Sequence, residues 1–143
     1  MIVVDLNVLI YAVNSATPHH APVVKWWTAA VNGDEPIGLP WVVISGFLRL
    51  NTRLGILPKP LTVSSSLSVV ETWLGLDTIV VPRETDDHWA VLGRLLQEAG
   101  TGGNLVTDAH LAALAISHGA TLATCDKDFG RFRGLRVLSP LNG

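Results

Sequence analysis

The sequence predicts an α/β protein, a three-layer α/β/α sandwich built on a mainly parallel sheet. Three observations carry this expectation. Short apolar runs rich in β-branched residues alternate with longer segments of helical periodicity, the pattern of a sheet covered by helices. No hairpin signal appears, so successive strands are expected to connect through crossovers and to run parallel. Finally, 48% of the 143 residues are hydrophobic, enough for strands buried on both faces and one full core. No internal repeat, low-complexity tract or linker interrupts the chain, so residues 1–143 read as a single domain of ordinary size.

The elements follow in order. Met1–Val4 is a β-branched run and reads as a buried strand. Leu6–Val13 reads as a short helix. Pro18 and Pro22 bracket a loop and a helix start. Ala21–Val31 is helical, carries Trp26 and Trp27, and is stopped by Asn32-Gly33-Asp34. Ile37–Leu39 is a brief strand. Pro40 suits a first helical turn, and Trp41–Arg53 continues it with Val43, Phe47, Leu50 and Leu54 on one face. Pro58 and Pro60 close that segment. Ser64-Ser65-Ser66 offers caps for a helix over Leu67–Leu74. Thr78–Val81 is a strand ended by Pro82, and Thr85 or Asp86 caps a helix through Glu98. Gly100, Gly102 and Gly103 make a turn. Thr107–His118 is a strong helix, with Gly119 placed to end it in a left-handed conformation. Thr121–Thr124 is a strand, Lys127–Phe132 a helical turn, and Leu135–Leu138 the last strand before Pro140.

Composition excludes several classes. Only 15% of residues are charged and nearly half are apolar, which excludes a disordered chain. The longest uncharged stretch, Leu6–Val24, is broken by asparagines, histidines and prolines, so no membrane span is expected. Asp5 interrupts the N-terminus and no basic region precedes the apolar run, so no signal peptide is expected and the cytoplasm is the default location. Cys125 is the only cysteine, which leaves no intrachain disulfide and no cysteine-based zinc site. A net charge of −2 does not mark a nucleic-acid binder. The cations are nonetheless grouped, with Lys127, Arg131, Arg133 and Arg136 near the C-terminus and Arg49, Arg53 and Lys59 earlier. Each group taken alone reads as a solvated face.

The chemistry lies in three aspartates. Asp5 ends the first strand, Asp126 follows the strand Thr121–Thr124, and Asp108 opens the helix that leads into that strand. In parallel sheets ligands bind outside the carboxyl ends of the strands. A helix leading into a parallel strand runs against it, so its N-terminus lies at that same edge. Singly, each aspartate has a structural role open to it, as helix cap, macrodipole partner or turn initiator. Jointly they converge on one edge. Clustered carboxylates are hard oxygen ligands of the kind Mg²⁺ or Mn²⁺ takes, and a cation relieves their mutual repulsion. No phosphate-binding glycine loop, dinucleotide fingerprint or nucleophile elbow is present. Asn7 stands where a phosphatase with an aspartyl nucleophile would carry a second aspartate.

Met1-Ile2-Val3-Val4-Asp5-Leu6-Asn7-Val8-Leu9-Ile10-Tyr11-Ala12 resembles the opening of PIN-domain ribonucleases. Asn104 to Ala115, containing Thr107-Asp108-Ala109-His110, and Gly119 to Phe129, containing Thr124-Cys125-Asp126-Lys127-Asp128, are similar to the second half of VapC-type toxins. The resemblance covers nearly the whole chain. It implies a PIN-like fold and a cytoplasmic Mg²⁺-dependent endoribonuclease, with Mn²⁺ as the alternative ion. It also implies a VapB-type antitoxin, a homodimer within the toxin–antitoxin complex, and structured RNA as substrate. By position, Asp5, Asp108 and Asp126 match the metal-binding acids, Asp128 matches an accessory catalytic acid, and Asn7 and Thr124 match polar neighbours of the carboxylates. One position departs: relatives often carry Ser-Glu-Phe-Leu-Arg, where this chain reads Ser45-Gly46-Phe47-Leu48-Arg49. The alternative is therefore a catalytically degenerate PIN fold that binds RNA or an antitoxin without cleaving. A DNA-directed 5′-nuclease would share the acids but carry extra DNA-clamping segments.

The remaining candidates read as structural. The five histidines sit in loops, at helix ends or away from the aspartates, with His88 as surface decoration and His110 nearly opposite Asp108. The five tryptophans read as core or interface packing. Self-association is expected through the helices bearing Trp26, Trp27 or Phe47. Cys125 reads as an inert buried thiol.

Overall fold

The computed structural model describes residues 1–142. Five strands, β1 (Ile2–Val4), β2 (Ile37–Gly38), β3 (Ile79–Val80), β4 (Thr121–Ala123) and β5 (Arg136–Leu138), form one sheet in the order β3-β2-β1-β4-β5. Every pairing is parallel. The helices are α1 (Leu6–Val13), α2 (His20–Val31), α3 (Trp41–Thr52), α4 (Val63–Leu74), α5 (His88–Ala99) and α6 (Leu105–Ser117), with a 3-10 turn at Lys127–Arg131.

The strand order reverses between β1 and β4, the central pair. The chain builds β2 and β3 on one side of β1 and then returns to build β4 and β5 on the other. Such a reversal leaves a crevice at the carboxyl edge, because the two connections leave in opposite directions. The β1–β4 register pairs Val4 with Ala123, and Asp5 donates its N–H to the Ala123 carbonyl at 2.9 Å. The residue after each strand therefore reaches the crevice at one level.

The core is continuous. Val3, Val4 and Leu122 are fully buried in the sheet, and Val8, Leu9, Phe47 and Leu95 cover it from the helices. Helix α6 buries Ala109 and the whole run Leu111–Ala115. Four of those side chains are alanine methyls, so this helix packs close on nearly all sides, and its apolar residues form no single stripe. Gly119, at φ 62°, ends it in the left-handed conformation expected of that position. An aromatic cluster joins α2, α3 and α4, with Trp73 5.5 Å from Trp27 and 5.0 Å from Phe47 between ring centroids.

Several expectations need correction. Helix α3 ends at Thr52, so Leu54 leaves the helical face and is 88% exposed. Pro40 is its extended cap, not its first turn. Helix α4 starts at Val63 because Thr62, not the serine run, accepts the Ser65 N–H. Helix α5 starts at His88 after Asp87, and neither Thr85 nor Asp86 caps it. Trp27 and Phe47 are core residues at 8% and 0% exposure, so neither side chain is available for self-association. The exposed large apolar side chains are instead Trp41, Leu54, Ile56, Val63, Leu67 and Trp89, among others. No helix among the described residues is long and apolar enough to cross a membrane.

Candidate active site

Asp5 holds the site together. It sits in extended conformation at the end of β1 and caps α1, accepting the Leu6 N–H at 2.7 Å. Its second oxygen accepts the Thr124 hydroxyl at 2.7 Å. Thr124 lies just past β4 and is buried; its oxygen also accepts the Asp126 N–H at 3.0 Å and the Asn7 amide at 3.4 Å. Asn7 in turn accepts the Cys125 N–H at 3.2 Å. Asp126 caps the 3-10 turn through the Asp128 N–H at 2.9 Å. The structural and ligand-facing roles of Asp5 and Asp126 therefore coexist, because a carboxylate has lone pairs to spare after one or two hydrogen bonds. Thr124 touches a carboxylate directly, as expected. Asn7 does so only through Thr124.

Asp5, Asp108 and Asp126 line one cavity of about 330 Å³ at this edge. Asp5 and Asp108 also line a second cavity of about 350 Å³, together with Ser45, Gly46, Arg49 and Thr107. Asp108, in the first turn of α6, brings its carboxylate to both. Asp128 is exposed and lines neither; Arg131 lies 4.0 Å from its carboxylate and donates Nε–H to its carbonyl at 3.1 Å. Tyr11, Ile10, Leu50 and Leu57 complete the first cavity. As sequence, they read only as helix and loop residues. The available signal was spacing: Asn7, Ile10 and Tyr11 fall three and four residues apart, on the face of α1 that Asp5 opens.

Electrostatics follow from this crowding. Burial pushes the Asp5 carboxyl above the ordinary aspartate range, offset by the Thr124 and Leu6 hydrogen bonds and raised further by Asp126. Burial also raises Asp108, followed by repulsion from Asp5 and Asp126, with Arg131 opposing. No ion pair among the described residues involves Asp5, Asp108 or Asp126. Burial and the Asp5 charge push the Cys125 thiol up to about 11, in keeping with an inert thiol.

A testable consequence concerns stability. An acid whose folded-state pKa is raised binds protons more readily when folded. It therefore costs stability at pH values above that pKa, and the cost fades as pH falls toward 3.8. Asp108→Asn is expected to raise Tm at pH 7, with the gain shrinking as pH is lowered into the carboxyl range. Thermal melts across pH check this; an unchanged or lower Tm at pH 7 would mean the repulsion is not felt.

The donors that a divalent ion would meet at this edge are carboxylates. All contributing atoms are hard oxygens, and two of the three carboxyls are raised by burial and mutual repulsion. Among the described residues, no group of three or more His, Cys, Asp or Glu side chains is disposed to hold a metal ion. Such an open set would suit only an ion like Mg²⁺, which commonly binds through one or two carboxylates and retains several waters. It does not make a closed cage.

The histidines lie elsewhere. His88 is not surface decoration. It is partly buried, with Nε2 2.9 Å from His110 Nδ1, and burial lowers its pKa from 6.5. His110 also meets Glu84 at 3.3 Å. His118 and His20 bond backbone carbonyls of Arg83 and Tyr11.

A carboxylate-lined crevice at the reversal point of a parallel sheet defines an α/β protein with a ligand site at its carboxyl edge. Residues 2–135 match the PIN domain family. The chain is 44% identical over 140 residues to Ribonuclease VapC37 of Mycobacterium tuberculosis, covering 98% of this chain and 97% of that one. It is 36% identical over 141 residues to Ribonuclease VapC33 of the same species, covering 99% of each. The fold matches the crystal structure of VapBC2 from Rickettsia felis bound to a promoter DNA fragment, with TM-score 0.67, 21% identity, and 97% and 98% coverage. The chain belongs to the PIN-domain family, among the VapC ribonucleases.

Proposed function

We propose that this protein is a Mg²⁺-dependent endoribonuclease acting in the cytoplasm as the toxin of a type II toxin–antitoxin pair. The observation that carries this reading is the convergence of Asp5, Asp108 and Asp126 on one cavity without a cationic partner. Its curated relatives carry the name ribonuclease, which supports the same reaction class. When bound, Mg²⁺ acidifies a coordinated water and offsets charge on a phosphoryl oxygen. The chain's own residues do the rest. Thr124 and the Leu6 N–H hold Asp5 in one orientation. Asp108 and Asp126 supply the remaining charge, with Asp128 in support at the rim. Arg49, lining the second cavity, holds the RNA backbone, and the exposed Lys127, Arg131 and Arg133 extend that hold. Such contacts set affinity and register, not sequence choice. Hydrolysis leaves a 3′-hydroxyl and a 5′-phosphate. Purified protein incubated with RNA, with and without Mg²⁺ or Mn²⁺, tests the reading; absence of metal-stimulated cleavage overturns it in favour of a degenerate fold that binds RNA or antitoxin without cutting.

That second reading draws on Gly46. It lines the second cavity beside Asp5 and Asp108, and a Cβ built on it would lie 2.8 Å from Leu6 Cδ2. Leu6 thus occupies the space a longer side chain would enter. Because the contact is with the flexible end of Leu6, which can turn aside, Gly46→Glu is expected to tighten Mg²⁺ binding or raise cleavage on the order of tenfold, about 1.4 kcal/mol. Gly46→Glu with Leu6→Ala should do so more strongly, since Leu6 no longer contests the space. Metal titration and initial rates decide it; no change in either variant would mean that position 46 does not reach the ion.

The partner reading rests on exposed apolar surface. Val63 and Leu67, one turn apart on α4, are 63% and 52% exposed, and Leu54 just past α3 is 88% exposed. A VapB-like antitoxin covering such a surface, with an arginine reaching the unpaired acids, makes charge-assisted contacts that exclude metal and RNA. A homodimer within that complex is part of the proposal. Coexpression with the small protein encoded directly upstream is expected to yield a complex on size exclusion in which RNA cleavage is suppressed. Separate elution with undiminished cleavage would remove the antitoxin while leaving the nuclease.

A further inference from the structure

The two cavities differ in chemistry. Asp5, Leu6 and Asp108 line both, so the Asp5–Asp108 pair stands between them. The second adds Ser45, Arg49 and Thr107 beside the apolar Val42, Val43 and Leu111, and holds the only cation of the two. The first adds Asn7 and Asp126 beside Ile10, Tyr11, Leu50 and Leu57, and holds the only aromatic ring. Tyr11 packs against His19, whose ring meets it edge-on at 5.1 Å and 64°. Its hydroxyl makes no hydrogen bond among the described residues. The volume, about 330 Å³, lies at the small end of ligand pockets.

We propose that the first cavity is a nucleobase slot, in which the base next to the scissile phosphate stacks on Tyr11 between Ile10 and Leu57. The inference rests on the ribonuclease reading and deepens it by giving the strand a direction across the site. The base enters on the Tyr11 side, the reacting phosphate lies at the acid end of the same cavity, at Asp5, Asp108 and Asp126, and the backbone beyond it runs to Arg49. Physical chemistry favours a base over other occupants. The planar π-faces of a base gain from the aromatic ring and from the apolar side chains beside it, while its rim carries the polar groups. Asn7 lines this cavity and not the second, and its amide can pair with the polar rim of a base, while the acids at the inner end oppose an anionic side chain in the slot. The free Tyr11 hydroxyl offers the only unengaged donor on the apolar wall. A pocket of this size holds one base, so the slot selects at a single nucleotide position.

The test separates the slot from the nuclease. Binding of AMP, GMP, CMP, UMP and ribose 5-phosphate to the protein is measured by NMR titration in Mg²⁺, so that no cleavage is needed. At least one nucleotide is expected to bind about tenfold more tightly than ribose 5-phosphate, the scale of one stacked base. That advantage should vanish in Tyr11→Ala and largely persist in Tyr11→Phe, which keeps the ring. With RNA, Tyr11→Ala should raise KM more than it lowers kcat and flatten the nucleotide preference at one position flanking the cut, read by sequencing product ends. Equal binding of all four nucleotides and ribose 5-phosphate overturns the slot even if RNA is cleaved. An unchanged nucleotide advantage in Tyr11→Ala also overturns it, and loss of a copurifying protein in the same variant assigns the wall to that protein. Nucleotide discrimination lost in Tyr11→Ala by a protein that cleaves no RNA upholds the slot and overturns the nuclease reading alone.

Discussion

Asp5→Asn is expected to reduce Mg²⁺-dependent RNA cleavage by roughly 10²- to 10³-fold, the loss that follows removal of one pre-organised electrostatic group, and to abolish growth inhibition with it. The substitution keeps volume and deletes charge at the one carboxylate that is buried at 9% exposure and lines both cavities. Two hydrogen bonds end on its oxygens, from the Leu6 N–H and the Thr124 hydroxyl. An asparagine oxygen can take over one of them as the helix cap, and losing the other costs about 1 kcal/mol. Removing a carboxylate whose pKa burial has raised works in the opposite direction at neutral pH. The fold should therefore persist, and circular dichroism with thermal melting checks that it does. Near wild-type initial rates in a folded variant would take Asp5 out of the chemistry.

Thr124→Val is expected to be the more damaging change to stability, by about 2–3 kcal/mol, or roughly 5–10 °C in Tm. The side chain is 1% exposed, and valine fills nearly the same space. What it lacks is the hydroxyl that donates to Asp5 and accepts from the Asp126 N–H and the Asn7 amide. One carboxylate loses its donor and one backbone N–H loses its acceptor inside the protein. Cleavage should fall too, because both acids lose the group that orients them. Thr124→Ser restores the hydroxyl and should recover most of the stability and rate. Urea titration of the three proteins, with initial rates, measures both effects. A valine variant as stable as wild type would show that Thr124 does not tie the two aspartates together.

Much of this architecture was readable because its signals are local. Helix α1 has the predicted bounds Leu6–Val13, since Asp5 supplies both strand end and cap. Asp108 and Asp126 lie at the expected edge for a topological reason that needs only the alternation of elements. Boundaries failed where competing caps stood close together. Thr62 won over three serines because its hydroxyl alone accepts the Ser65 N–H, a choice that depends on the approach of the preceding chain. Leu54 was misplaced because its spacing fits α3 while the helix has already ended at Thr52.

The sequence by itself determined the α/β class, the carboxyl-edge placement of Asp5, Asp108 and Asp126, and their hard-oxygen chemistry, because periodicity, caps and strand ends are written in contiguous residues. Only the tertiary structure decided which groups meet across the chain. Thr124 and Asp5 are 119 residues apart and touch because β1 and β4 pair in one register. Leu6 fills the space above Gly46 because α1 and α3 cross there, and Tyr11 joins the acids because α1 starts at the same strand end. Burial of Trp27 and Phe47, and exposure of Trp41 and Trp89, were settled the same way. An apolar side chain is equally content in a core or at an interface, and the packing of whole elements makes the choice.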